Sequence, residues 1–361
     1  MRLAHKLFFL RVIFLPLLLL AISAIVVVPS IVSAHEVYVL SPGEIGQAIS
    51  TPSPNPFSAI PGEVPQFFLS AMIIMAGILV SLYLSTLKYF ERLLGPLLRK
   101  LKKYAPLVGR VALGASLVAS GYFGSFFGPE LAVSQSVSPV FIQTTDVLLI
   151  VLGIFILVGF LTRLSVLVAM IIFGYTVLTY RFYMLTYLNY FGEMILCLIL
   201  GGGHLSLDRL IPRYVGVEKL LEKIAKMIEP YSFLILRIFF GVSLFFASFY
   251  AKFVHSNLAL ATVNDYHLTN YFHFTPLFLV LGAFLVEALL GLCFALGFQI
   301  RLASIVFTFF LVSSLLFFGE AVWPHLILFG VNFALFFHGY DHFTLTRFLF
   351  RKRSPDFEPI F

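Results

Sequence analysis

The sequence predicts an all-α, polytopic membrane helical bundle made of two parallel four-helix repeats plus one leading transmembrane helix. Three observations predict it. Sixty per cent of the residues are apolar and only 11% are charged, with a mean hydropathy of +1.01. A soluble domain carries about 25% charged residues to cover its surface, so lipid is the solvent this chain expects. The apolar residues fall in runs of about 20, long enough as helices to cross a bilayer core of about 30 Å. Finally, "GGGHLSLDRL" at 201–210 is echoed by "GYDHFTLTRF" at 339–348.

The first element, residues 1–34, reads as a signal peptide. Arg2 and Lys6 precede an apolar stretch, and "VSA" at 32–34 offers a small-residue cleavage site. The apolar stretch is long and holds Arg11, so a signal anchor is the alternative. Residues 35–66 are rich in Pro, Ser and Gly and contain no Lys or Arg, the profile of an extracytoplasmic lead with little regular structure. Nine apolar runs follow, at 67–87, 107–127, 144–162, 164–184, 187–203, 232–254, 276–299, 302–319 and 325–340. Helices suit them because each backbone amide then finds its partner within its own segment.

Alternation from an outer residue 66 places 88–106, 204–231 and the tail from 341 inside. These segments hold Lys88, Arg92, Arg99, Lys100, Lys102, Lys103, Arg209, Arg213, Lys219, Lys223 and Lys226, then Arg347, Arg351, Lys352 and Arg353 in the tail. The outer side carries little beyond Arg181 and Lys252. This bias follows the positive-inside rule. It accounts for the net charge of +7 without invoking nucleic acid. The expected location is the cell membrane, with the mature N-terminus outside and the C-terminus in the cytoplasm. Cys197 and Cys293 sit in apolar runs with no ligand spacing and read as packing residues.

The echo extends upstream. His204 follows Arg163 by 41 residues, as His342 follows Arg301. "GFLTRL" around Arg163 answers "GFQIRL" around Arg301, and "GRVALGASL" at Arg110 answers "LRIFFGVSL" at Arg237. Earlier in the units the offset is 127 and later it is 138, so the second copy has eleven extra residues on the outer side. The organisation is therefore a leading helix and basic linker (67–106), a first unit (107–211), a basic linker (212–231), a second unit (232–350) and a tail (351–361). Both units begin and end inside, which makes them parallel repeats about an axis along the membrane normal.

These residues also carry a family resemblance. A first helix opening with Arg and Gly, Gly-x-x-x-Arg after the second helix, and the closing "GGGHLSLD" resemble the DoxX-like membrane proteins. "ASFYAKF" and "VEALLGLCFALGFQIRLA" look like that family's Lys and Glu positions, here Lys252 and Glu287. The first unit has Ser125 and Leu149 at those places, and the second lacks the glycine-rich close. The resemblance implies similarity to the membrane subunits of thiosulfate:quinone oxidoreductases. It further implies a possible quinone and a soluble or secreted oxidoreductase partner, with the chain serving as a subunit if the assembly is catalytic.

Glu287 falls near the centre of its span. An acid there costs about 2.5–3.5 kcal/mol on insertion scales, so it must face protein or water. Desolvation alone would favour a neutral, hydrogen-bonding acid; a polar latch between helices is the bland alternative. Glu193 and Asn332 fall at nearly matching places in the two units. With Lys252 and Arg181 they could line a polar cleft, although either cation could instead reach the headgroups. Arg110, Arg163, Arg237 and Arg301 stand at inner helix ends and read as positive-inside anchors. His204, Ser206, Asp208 and His342 belong to the same boundary, the histidines as helix C-terminal caps. His255, Asp265, His267 and His273 lie in the outer loop within which the insertion falls and, with His35, form a minority candidate for Zn or Cu; scattered polar residues are the plainer reading. Two functions remain open: a quinone- or sulfur-linked redox subunit with a site around Glu287, or a small-solute transporter or non-catalytic scaffold.

Overall fold

The computed structural model describes residues 40, 42–84, 88–131, 139–203, 205–209, 216–320 and 322–350. The expected signal segment, His35, His204 and the tail 351–361 lie outside the described residues. All regular structure among them is helical. In chain order the α-helices are α1 Pro42–Ser50, α2 Val64–Leu84, α3 Lys88–Lys102, α4 Ala105–Tyr122, α5 Pro139–Val158, α6 Thr162–Tyr180 and α7 Leu188–Leu200. They continue with α8 Gly216–Ile228, α9 Ser232–Ser248, α10 Ser256–Asp265, α11 Pro276–Leu296, α12 Ile300–Phe318, α13 Leu326–His338 and α14 Leu345–Phe350.

The helix ends follow local chemistry. Pro276 opens α11 after an extended Thr275, where its missing N–H costs nothing. Gly297 (φ +68°) closes α11 and Gly319 (φ +65°) closes α12, in the left-handed conformation that suits glycine. Among the described residues, five helical stretches are long and apolar enough to cross a membrane: Val64–Leu84, Thr162–Leu200, Leu221–Val254, Pro276–Leu296 and Ile300–Phe318. Fewer reach that length than the nine apolar runs expected. Gln143–Val158 and Trp323–His338 form shorter apolar helices. The runs 164–184 and 187–203 share one helical stretch, interrupted by 3-10 turns at Arg181–Tyr187, and α6 and α7 pack on each other.

Packing joins two groups of four helices, the quartets α4–α7 and α9 with α11–α13, crosswise. α4 pairs with α5 and α9 with α11, each as the leading pair of its quartet. The closing helix of each quartet then packs on the opening helix of the other: α7 on α9, and α13 on α4. In lipid no hydrophobic drive holds helices together, so close backbone approach through small residues takes over. Gly114 and Gly153 meet in this way: a Cβ on Gly114 would lie 2.7 Å from the Gly153 carbonyl oxygen. Gly241 and Gly291 make the same contact between α9 and α11. One core runs through both quartets, including Leu117, Phe127, Tyr190, Phe240 and Phe294.

Two segments expected to be irregular are ordered. In the lead, α1 and a 3-10 helix at Pro56–Gly62 form, the latter capped by the Asn55 side chain. The insertion forms α10 and a 3-10 turn at Leu268–Asn270. Each supplies what the other lacks. Leu40 and Ala48 bury against Leu258. Ser256 Oγ donates to Pro54 O, and Asn257 Nδ2 donates to Thr51 O at 3.1 Å. Polar composition predicts loops when segments are read singly, whereas here mutual burial decides.

Candidate functional site: an apolar cavity with a buried ion pair

The α9 helix continues into a π-helical segment, Phe249–Val254. Such segments change the register of side chains and recur at functional sites. This one carries Lys252 inward, 3% exposed, rather than to a headgroup. Lys252 Nζ lies 2.9 Å from Glu287 Oε2 in mid-α11. Glu287 therefore faces the Lys252 side chain as a close ion pair.

The pair lies on the wall of a cavity of about 540 Å³. The rest of the wall is mostly apolar: Phe278 and Val286 of α11, Phe307, Phe310 and Leu311 of α12, and Leu328 of α13. α10 contributes Ala259 and Val263, and α2 contributes Ser70. The cavity thus belongs to the second quartet, with the leading helix and the insertion completing it.

A second pair on the same wall was not visible in sequence. His325 Nε2 lies 3.2 Å from Glu320 Oε2, with both side chains at most 4% exposed, and Ser314 Oγ donates to Glu320 Oε1 at 2.9 Å. The sequence reading placed His325 at the edge of a span and Glu320 in a connection. The signal available was the turn chemistry of "WPH", since Pro324 starts the 3-10 turn that turns His325 inward.

The remaining predicted site residues go elsewhere. Glu193 is buried in α7 against Gly109, where Cys197 Sγ donates to it at 3.8 Å. Asn332 Nδ2 donates to Ser304 O at 3.2 Å and Thr308 Oγ1 at 2.8 Å, latching α13 to α12. Arg181 is exposed. The single cleft expected from these five residues is thus reduced to Lys252 and Glu287, because Glu193 and Asn332 each contact helices of their own group of four.

The four arginines are also placed differently from simple anchors. Arg110, Arg237 and Arg301 are at most 2% exposed, and they bind carbonyls at chain reversals. Arg110 donates to the carbonyls of Gly202 and Leu205, and Arg237 to Phe343 O at 3.1 Å. Arg163 donates to Leu198 O at 3.0 Å and Ile199 O at 3.1 Å, and Arg301 to Phe336 O at 3.3 Å. A guanidinium satisfies the unpaired carbonyls at a helix C-terminus well. Ser206 and Asp208 belong to the same lock. Ser206 Oγ donates to Gly159 O at 3.0 Å, and Asp208 accepts from Thr162 Oγ1 at 2.7 Å. His342 is exposed instead of capping its helix.

The outer histidines do not gather. Among the described residues no group of three or more His, Cys, Asp or Glu side chains could hold a metal ion. His255 stands at the ring of Tyr250, 4.6 Å between centroids. Burial holds its imidazole below the usual range.

The stretch from α9 to the end of α12 is what relates this chain to known proteins. Residues 232–320 match the DoxX family model, so this stretch of a multi-pass membrane protein is similar to DoxX. The matched stretch contains Lys252, Glu287 and Glu320. No curated protein and no solved structure matches the chain.

Proposed function

We propose that this protein is a membrane subunit of a quinone- or sulfur-linked redox assembly. In this reading it holds an amphiphilic electron carrier, such as a quinone, beside Lys252 and Glu287. A soluble or secreted oxidoreductase partner exchanges the electrons. One observation carries the reading: a cavity of about 540 Å³, walled by aromatic and aliphatic side chains, with a buried ion pair on its surface. That size and mix of walls suits a small-molecule site. The residues fit a quinone. The Lys252 ammonium can donate to a carbonyl of the head, Glu287 fixes the ammonium, and Phe278, Phe307 and Phe310 pack on the ring and tail while excluding water. When bound, a quinone would supply two-electron, two-proton chemistry. The outer position of this cavity, the cell-membrane location and the cytoplasmic C-terminus follow from the charge bias and belong to the same proposal.

We also infer that the two quartets arose by duplication. Contacts 138 residues apart support this: Arg163 on Leu198 and Arg301 on Phe336, and the amide of Asp208 on Gly159 and that of Thr346 on Gly297. Under this inference Lys252 and Glu287 mark the copy that kept the site.

Trp323 is the only tryptophan in the chain and adjoins the cavity through His325, so it reports occupancy. A short-chain benzoquinone should quench its emission with saturation in the purified protein, and Lys252→Met should weaken binding at least tenfold. Absence of saturable quenching in the wild type, or equal affinity in the variant, rejects the site.

A further inference from the structure

The wall of the large cavity is buried on one side and exposed on another. Lys252, Leu311 and Glu320 line it and are buried, whereas Ser70, Phe272 and Gly282 line it and are exposed. A residue that faces both the cavity and the outside stands where the wall ends. Ser70 and Gly282 also lie level with each other along their helices. Each is the seventh residue of a 21-residue helix, α2 and α11 respectively, about 9 Å from its start. Phe67, one turn before Ser70, packs on the α11 residues Phe278, Leu281 and Phe284, so α2 is pinned there and the gap follows one turn later. On the α2 side the neighbours Phe68, Leu69, Met72 and Ile73 are each more than half exposed, and in a chain that crosses a bilayer such side chains meet lipid. On the α11 side, a Cβ added to Gly282 would meet no atom within 4 Å. Gly241 and Gly291 let two backbones touch, but Gly282 has no neighbour to admit and instead leaves space.

Resting on the redox reading above, we propose that the gap between Ser70 and Gly282 is a lateral mouth, through which the hydrocarbon chain of the ligand leaves the cavity into lipid. The substrate class is then a long-chain carrier drawn from the bilayer, and a small polar solute arriving from water is not. Glu287 lies five residues along α11 from Gly282, about 7.5 Å. A chain attached to a head at the ion pair spans that distance, and the head alone does not. A cavity of about 540 Å³ houses a head and a short length of chain. The rest of a long chain continues outside, and lipid accepts it without the cost of exposing apolar surface to water.

The test uses quenching of Trp323 in the full chain in lipid nanodiscs, with two probes that share one ring: a short-chain benzoquinone and its decyl-chain analogue. Comparing each variant with wild type for the same probe cancels partition of that probe into lipid. Gly282→Leu puts carbons into the mouth and leaves the ion pair alone. Its affinity for the decyl probe should fall about tenfold or more, the scale of forcing a chain past added carbons, while the short-chain probe binds as in wild type. Ser70→Leu narrows the mouth from the other helix, serves if the first variant fails to fold, and should give the same selective loss. Losses that are equal for the two probes, or absent for both, overturn the mouth, and the redox site stands as long as the short-chain probe binds the wild type. If neither probe binds the wild type, the redox site falls and the mouth falls with it.

Discussion

Replacing Lys252 with methionine keeps most of the side-chain volume and strands the Glu287 carboxylate. The two charges are 2.9 Å apart, with side chains 4% and 12% exposed. At an effective dielectric constant of about 20, that separation corresponds to roughly 6 kcal/mol of attraction. Most of this offsets the desolvation of the two ions. Removing one partner leaves the other buried and unpaired, at a cost of about 3–5 kcal/mol, whereas replacing both is often close to neutral. Lys252→Met and Glu287→Leu should therefore each raise the unfolding constant by roughly two to four orders of magnitude, and the double variant should recover most of the loss. Reversible unfolding in mixed micelles, followed by Trp323 emission, measures all four corners of the cycle. Single losses below about 0.5 kcal/mol, or losses that simply add in the double variant, would refute the idea of a desolvated, coupled pair.

Three further outcomes follow from the packing. Gly241→Val should destabilise the α9–α11 pair by about 1–3 kcal/mol, read as a lower Tm, because the added carbons meet the Gly291 carbonyl. Arg163→Lys should also cost stability, by about 1 kcal/mol. It loses one of two parallel donations to Leu198 and Ile199, and a lysine cannot reproduce that fork. Asn257→Ala should speed proteolysis between residues 50 and 56 without lowering the Tm of the bundle, since its amide ties that strap to α10.

Much of the bundle was legible because lipid imposes a simple code of long apolar runs. The arginines at 163 and 301 were singled out by spacing alone, and each makes a matching contact in its own quartet. Their roles were less legible. Charge bias explains where an arginine sits along the membrane normal and says nothing of which carbonyl it meets. Glu287 was found because a mid-span acid is expensive, but its partner was ambiguous: a helix-end lysine can snorkel, and only the π-helical turn at 249–254 sends it inward. Glu193 and Asn332 looked like cleft residues because their positions match. Burial against Gly109 and bonding to Thr308 instead make them internal to each quartet. Glu320 and His325 were missed because their meeting depends on a short 3-10 turn between spans, where hydropathy carries no signal. The lead and the insertion were misread as loops for a related reason: each is helical only against the other.

The most direct measurement is native mass spectrometry of the full chain extracted in mild detergent, comparing wild type with Glu287→Gln and Lys252→Met. An amphiphilic carrier of quinone mass should ride on the wild-type ion and be depleted on both variants. A bare wild-type chain, or the same adduct at equal abundance on all three, would contradict the cavity as a binding site.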